Sequence, residues 1–179
     1  YTGTRQMVDM LGRLGLKDTY LSGLLTVPGA VLSPIATPAN SRADINLNPD
    51  PFNQTTAVDM GALTVMIYQC SQAKGPLLLA FGGKITPTEC QQLIQMMTEN
   101  AVGPIFIPGG SGGAVVAHKH GWDATPLTNA GDTALVFTPN GDYALTIFLH
   151  QPETILFDDA NRIIGRLAQA VYNYYSQKN

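Results

Sequence analysis

Charge is scarce in this chain: only 13% of the residues are Asp, Glu, Lys or Arg, and the formal net charge is −3. Lysine and arginine form no cluster, so the basic surface that nucleic-acid binding requires is not expected. No apolar run approaches the roughly 20 residues that span a bilayer. With a hydrophobic content of 45%, the composition favours a globular domain with a real core.

Cysteine is also rare, and the sequence does not begin with methionine. Because no charged and apolar leader precedes Tyr1, we expect a processed product or a fragment. Cys70 and Cys90 lie near the end of one predicted helix and the start of the next. They either form a disulfide, as in an exported protein, or are two buried thiols. Few lysines and many Asn, Gln, Thr and Pro residues favour an extracellular or cell-envelope location.

The pattern of apolar residues predicts helices, then strands, then a helix. Capping signals start helices at Thr56, with Asp59 reaching back, and at Thr86, with Pro87 and Glu89 behind it. The Asn140-Gly141 pair is a strong hairpin signal between two strands. The predicted elements are helices over 4–16, from 56, from 86 and over about 158–174, and strands over 114–119, 133–138 and 143–149.

Two segments are predicted to be loops. The proline-rich segment 28–54 predicts a long Ω-like loop, because proline removes backbone donors and blocks helix. The segment "PGGSGGA" (108–114) predicts a flexible loop that lacks the ending of a phosphate-binding loop. The fold class is therefore α+β, an antiparallel sheet covered by helices. Three strands are few for so many helices, so N-terminal strands are expected to complete the sheet.

The stretch "AVVAHKHGWDA" (114–124) contains the residues best suited to catalysis or ligand binding. His118 and His120 point to the same face of a strand and could bind a metal, but a site needs a third ligand. Asp123 is badly placed for that role, and His150 belongs to another strand. We therefore expect no metal and no cofactor. A nucleophilic cysteine paired with His118 is the weaker alternative, because neither cysteine has a nucleophile turn around it.

A further candidate is "SQAK" (71–74), which fits the Ser-x-x-Lys signature of penicillin-recognising enzymes. On a helix this spacing places the lysine one turn after the serine, where its amine can take the serine proton. The four residues stand at the end of a predicted helix, just before Gly75 and Pro76. We interpret them as a chance match.

The order of segments resembles the serine β-lactamase and penicillin-binding protein family, in its class A branch. The resemblance covers most of the chain and is more specific than any single motif. It is carried by "QTTAVDMGALTVMIYQC", "TPTECQQLIQMMTEN", "IPGGSGG", "AVVAHKHGW", the hairpin "TALVFTPNGDYALTIFL" and the long final helix. It implies the C-terminal portion (1–179) of a single β-lactamase-like domain.

The resemblance implies a role for each residue of "KHGW". Lys119 matches the lysine of the family's Lys-Thr/Ser-Gly motif and would polarise the catalytic serine and hold a substrate carboxylate. His120 replaces the usual Thr or Ser, and Gly121 fits the motif. The backbone N–H of Trp122 would be an oxyanion-hole donor, so His120, Gly121 and Trp122 are expected to bind substrate.

Two departures from the family shape the expected function. The family's Ser-x-x-Lys nucleophile and Ser-x-Asn lie upstream of the first helix here, so this chain alone would need the missing N-terminal portion as its partner. The segment 28–54 has no glutamate, the residue that activates the deacylating water in class A enzymes. We therefore expect acyl-enzyme chemistry on a β-lactam, peptide or ester substrate, small or peptidoglycan-like, with peptidase-like or esterase-like acyl transfer favoured over fast β-lactam hydrolysis. The alternative is a non-catalytic binding domain that kept the fold.

Overall fold

The computed structural model describes residues 3–21, 53–100, 102–123 and 126–176. The chain divides into two compact units, Tyr1–Ala62 and Leu63–Asn179. Apart from residues 53 and 54, the predicted Ω-like loop lies outside the described residues. The elements are α1 (Thr4–Arg13), β1 (Tyr20–Leu21), β2 (Asn53–Gln54), α2 (Ala57–Ser71), α3 (Pro76–Phe81), α4 (Pro87–Thr98), α5 (Ile107–Gly110), β3 (Val115–Trp122), β4 (Asn129–Phe137), β5 (Tyr143–His150) and α6 (Phe157–Ser176).

The first unit holds α1, the short antiparallel pair β1–β2 and the start of α2. The predicted cap of α2 is half right, because the Oγ1 atom of Thr56 accepts a hydrogen bond from the Asp59 backbone N–H at 3.1 Å. The Asp59 carboxylate does not complete the box. It accepts instead from the Thr19 hydroxyl at 2.8 Å and from the Asp18 N–H at 2.9 Å, so this buried carboxylate ties the residues before β1 to α2.

The second unit is built on a three-stranded antiparallel sheet in the order β3-β4-β5. This confirms the predicted α+β class. Both β3 and β4 are longer than predicted, since β3 continues to Trp122 and β4 begins at Asn129. None of the helices in the described ranges has the length and apolar character needed to cross a bilayer.

The sheet is packed against α5 and α6, where most of the core lies. The prediction of a flexible loop at 108–114 is wrong at its start, because α5 is a short helix there. A methyl group on Gly110 would lie 2.0 Å from the Gly165 carbonyl oxygen of α6, so α5 and α6 touch backbone to backbone. The buried core side chains are Phe106, Ile107, Val116, Leu127, Ala130, Ala134, Val136, Tyr143, Ile155, Ala160, Ile164 and Ala168.

A disulfide joins α2 to α4. Cys70 and Cys90 are bonded, with both side chains buried, so the question left open by the sequence is answered in favour of the bridge. The predicted capping box at the start of α4 is confirmed: Thr86 accepts from the Glu89 N–H, and Glu89 accepts from the Thr86 N–H at 2.8 Å. The bridge and the cap together fix the first turn of α4.

Candidate active site

The predicted site lies on β3, which is an edge strand of the sheet. Beyond the last ladder pair, the Asp123 N–H donates to the Asn129 carbonyl oxygen at 3.1 Å. Hydrogen-bonded and non-hydrogen-bonded pairs alternate in an antiparallel ladder. Gly121 and Lys119 therefore direct their backbone groups toward β4. Trp122 and His120 direct theirs to the outer side of β3, which we call the open edge because no other described strand pairs with it.

Lys119 is exposed and stands at this open edge. Its Nζ atom donates to the His120 carbonyl oxygen at 2.7 Å, which brings the ammonium group to the outer side of the strand. On its own face of the sheet, Lys119 is opposite Thr133. The Thr133 hydroxyl is hydrogen-bonded to the hydroxyls of Thr64 in α2 and Thr146 in β5, at 2.8 and 2.7 Å. These threonines anchor the strand beside Lys119 and were not found from the sequence.

The opposite face of β3 carries His118, which is buried. Its Nδ1 atom lies 3.1 Å from both carboxylate oxygens of Asp132, and the Asp132 side chain has no exposed surface. Asp132 also accepts from the Ile107 N–H at 3.1 Å. One buried carboxylate therefore links β4 to β3 and to the start of α5. Such a partnered buried histidine is structural, and the described residues contain no group of three His, Cys, Asp or Glu side chains that could hold a metal ion.

The ring of His120 lies on the same face as His118 and therefore on the face opposite Lys119. Its centroid is 5.1 Å from the Trp122 ring, 5.4 Å from the His118 ring and 6.2 Å from the Phe106 ring. Burial lowers the pKa of His120 below 6.5, and the charge of Lys119 lowers it further. Its Nε2 atom is buried and has no hydrogen-bond partner among the described residues.

Gly121 and Trp122 complete the predicted set. A methyl group on Gly121 would meet nothing within 4 Å, so the surface above this residue is open. The Trp122 ring packs edge-on against Phe157 at 5.2 Å and Phe106 at 6.1 Å, yet 44% of the residue remains exposed. The pairing of β3 with β4 on either side of Trp122 directs its backbone N–H to the open edge.

The end of β3 is held by Asp123, which the sequence suggests only as a badly placed metal ligand. Its Oδ1 atom accepts from the backbone N–H groups of Thr128 and Asn129 at 2.7 and 2.8 Å. Its Oδ2 atom accepts from the Thr128 hydroxyl at 2.5 Å and the Asn129 amide at 2.9 Å. Burial raises the pKa of Asp123, but these four hydrogen bonds outweigh it and bring the pKa to about 2.

The serine of the Ser-x-x-Lys match at residues 71–74 is not positioned to act as a nucleophile. The Ser71 hydroxyl donates to the Tyr68 carbonyl oxygen at 2.7 Å in the last turn of α2, and the residue is buried. Lys74 is exposed beyond the helix end. The other buried serine of the described core, Ser111, donates to the Ile107 carbonyl oxygen at 2.8 Å. Both hydroxyls serve to close helix ends.

Residues 1–175 match the model of the beta-lactamase enzyme family. The chain belongs to this family. A comparison with curated proteins finds no match.

Solved structures of β-lactamase-like proteins share the fold. PBP-A is 20% identical with a TM-score of 0.67, and the match covers 98% of this chain and 52% of that one. The extended-spectrum beta-lactamase TLA-3 is 21% identical with a TM-score of 0.66, over 96% of this chain and 55% of that one. The class A beta-lactamase of the last common ancestor of Gram-negative bacteria is 19% identical with a TM-score of 0.65, over 97% and 55%. This chain thus spans about half the length of the structures it matches.

Proposed function

We propose that this chain is the C-terminal portion of a β-lactamase-like domain and lines one side of a serine acyl-transfer site. The observation that carries the proposal is the open edge of β3, where the Lys119 ammonium group and the outward backbone groups of His120 and Trp122 stand together. An edge strand can pair with the backbone of an extended substrate, while a fixed cation beside it selects an acidic group.

Lys119 is the catalytic residue of the proposal. Its ammonium group is at the open edge and already makes one hydrogen bond, to the His120 carbonyl oxygen, which leaves two N–H donors. One can polarise the attacking serine and the other can bind a substrate carboxylate. A cation fixed where negative charge develops stabilises the transition state more than the ground state.

His120, Gly121 and Trp122 form the substrate-binding wall. The Trp122 N–H points outward and is a donor for the oxyanion of a tetrahedral intermediate. We assign the substrate contact of His120 to its backbone, because its ring packs on the opposite face of the strand. Gly121 leaves room for a substrate to lie against the strand.

The nucleophile belongs to a part of the domain that lies beyond the described residues. The buried serines Ser71 and Ser111 are both committed to backbone carbonyls. The matched structures are about twice as long as this chain, which leaves space in that fold for a second half of the site. The proposed partner is therefore the N-terminal portion of the same domain, in an exported protein whose disulfide suits an oxidising compartment.

The proposed substrate is a peptide, an ester or a β-lactam attacked to form an acyl-enzyme. One matched structure is a PBP-A mutant described as an acyl-enzyme complex with penicillin G. Because the segment 28–54 has no glutamate to activate the deacylating water, we propose slow turnover of β-lactams and preference for peptide-like or ester-like substrates.

The test uses the natural, full-length protein. It is labelled with fluorescent penicillin in one experiment and with a fluorophosphonate in another. We expect one labelled serine, and we expect Lys119→Ala to slow labelling by about 100-fold or more, the loss seen when a transition-state donor is removed. Lys84→Ala, at an exposed lysine of the same unit, should label like the wild type. Absence of any labelled serine in the wild type would overturn the proposal and favour a non-catalytic binding domain.

A further inference from the structure

A concave surface lies between α5 and α6 and includes none of the residues of β3. It is a groove of about 310 Å3 in the second unit. One wall of the groove is formed by polar side chains of α6, and the other is formed mainly by the backbone of α5 and the residues before it. The residues that line it are Pro104, Phe106, Gly109, Gly110, Asn161, Arg162, Gly165, Arg166 and Gln169.

Two arginines dominate the polar wall. Arg162 and Arg166 are one helical turn apart on α6 and both line the groove, so their guanidinium groups project from the same side of the helix. Arg162 is paired with Asp159, whose Oδ1 atom is 2.5 Å from its Nη2 atom. Among the carboxylates of the described ranges, none forms an ion pair with Arg166. In a chain of net charge −3, this groove keeps an uncompensated positive charge.

Neutral donors surround the two cations. The Asn161 side chain uses Oδ1 to accept from the Phe106 N–H at 2.7 Å, so its NH2 group remains a donor in the lining. Gln169 adds a second amide on the next turn of α6.

The floor of the groove is made by glycines. A methyl group on Gly110 would lie 2.0 Å from the Gly165 carbonyl oxygen, and one on Gly109 would lie 2.7 Å from the Pro104 carbonyl oxygen. The contact between α5 and α6 therefore depends on residues without side chains, and α5 contributes backbone rather than side chains to the lining of the groove.

We propose that this groove binds the carboxylate or phosphate group of a small molecule. A guanidinium group donates two parallel hydrogen bonds to such an oxyanion, and two arginines one turn apart can hold one anion between them. Arg166 is the main contact because it forms no ion pair with a described carboxylate. The guanidinium group of Arg162 donates both to the anion and to Asp159. The inference does not depend on the acyl-transfer proposal, since the groove shares none of the residues assigned to the open edge.

The experiment titrates the 15N-labelled chain with inorganic phosphate in one arm and with succinate in the other, at constant ionic strength set with sodium chloride. The signals followed are the Nε–H of Arg166 and the backbone amides of Gly109, Gly110 and Gly165. We expect saturable shifts confined to these groups. Arg166→Ala should weaken binding at least about tenfold, because hydrogen bonds to charged groups are the strong ones.

Three further variants make the result interpretable. Arg162→Ala should weaken binding less than Arg166→Ala. Arg166→Lys should retain part of the binding, because lysine keeps the positive charge but cannot donate two parallel hydrogen bonds. Arg5→Ala, at an exposed arginine of α1, should bind like the wild type. Saturation by phosphate alone or by succinate alone assigns the oxyanion class. If neither anion saturates, or if Arg5→Ala loses as much as Arg166→Ala, the effect is general charge screening and the proposal fails.

Discussion

The imidazole of His118 lies 3.1 Å from both carboxylate oxygens of Asp132, and neither side chain has more than 3% exposure. Because the same carboxylate accepts from the Ile107 N–H, it connects β3, β4 and the start of α5. The pair lies on the face of the sheet opposite the Lys119 side chain, with His118 next to Lys119 in β3 and Asp132 in β4. We therefore expect order at the open edge to depend on this polar contact in the core.

We expect Asp132→Ala to destabilise the chain by about 3 kcal/mol, since it leaves His118 and the Ile107 N–H buried without an acceptor. His118→Ala and the double variant complete a cycle, measured by urea unfolding. A coupling energy of about 1–3 kcal/mol is expected for groups in contact. Asp9→Ala, at an exposed position of α1, is the matched control and should change little. Additive single effects would show that the pair does not act as a unit.

Two glycines of the second unit are expected to differ in their sensitivity to substitution by alanine. Gly110→Ala should lower the Tm markedly, because the new methyl group would meet the Gly165 carbonyl oxygen and the Gln169 nitrogen, which are backbone atoms that cannot move alone. Gly121→Ala should leave the Tm nearly unchanged, because nothing lies within 4 Å of the new group. Thermal unfolding of both variants checks this, and equal losses would contradict the packing described for α5.

Asp123 is expected to make the free energy of unfolding depend on pH in the acidic range. Its folded pKa of about 2 is below its ordinary value of 3.8, so its contribution is complete above the unfolded pKa and is lost as the pH falls through the folded one. The difference in unfolding free energy between the wild type and Asp123→Asn should be constant near pH 6 and should shrink between about pH 4 and pH 2. Urea unfolding at several pH values measures it. A difference that does not change over this range would be evidence against the four hydrogen bonds.

His120 should titrate below 6.5 and be mainly neutral at pH 7, because burial and the neighbouring Lys119 disfavour its cation. Histidine side-chain NMR signals followed against pH give the midpoint. Lys119→Gln should raise the pKa of His120, whereas Lys84→Gln should leave it unchanged. A midpoint that Lys119→Gln does not change would show that the Lys119 charge does not lower the pKa of His120.

The disulfide closes a loop between residues 20 positions apart, Cys70 and Cys90. From the entropy of such a loop we expect reduction to cost about 3 kcal/mol of unfolding free energy. Urea unfolding with and without a thiol reductant measures the cost. The Cys70→Ala and Cys90→Ala double variant should match the reduced wild type and should be insensitive to the reductant.

The parts of the fold that local signals specify could be predicted from the sequence. Thr86, Pro87 and Glu89 start α4 as expected, because the capping box needs only neighbouring residues. Asn140 and Gly141 place the turn between β4 and β5 for the same reason. The short helix α5 was missed because its glycine-rich sequence disfavours helix, and its backbone contact with α6 comes only from tertiary packing.

The site could be predicted only in part. Lys119 was predicted through the family resemblance and stays a prediction, and strand alternation puts its side chain on the face opposite the His118 and His120 rings. The partner of His118 was missed because Asp132 lies in the first part of β4, where Gly131 and Asp132 have low strand propensity. Only the register between β3 and β4 reveals which carboxylate meets the histidine.

The open edge of β3 also bears on the self-association of this polypeptide. A strand with outward N–H and C=O groups is a template on which any extended segment can add, and proteins that keep such edges commonly protect them with lysine. Lys119 is the charged side chain that stands there. The residue proposed to attract a substrate thus also places a positive charge where a second copy of β3 would have to pair.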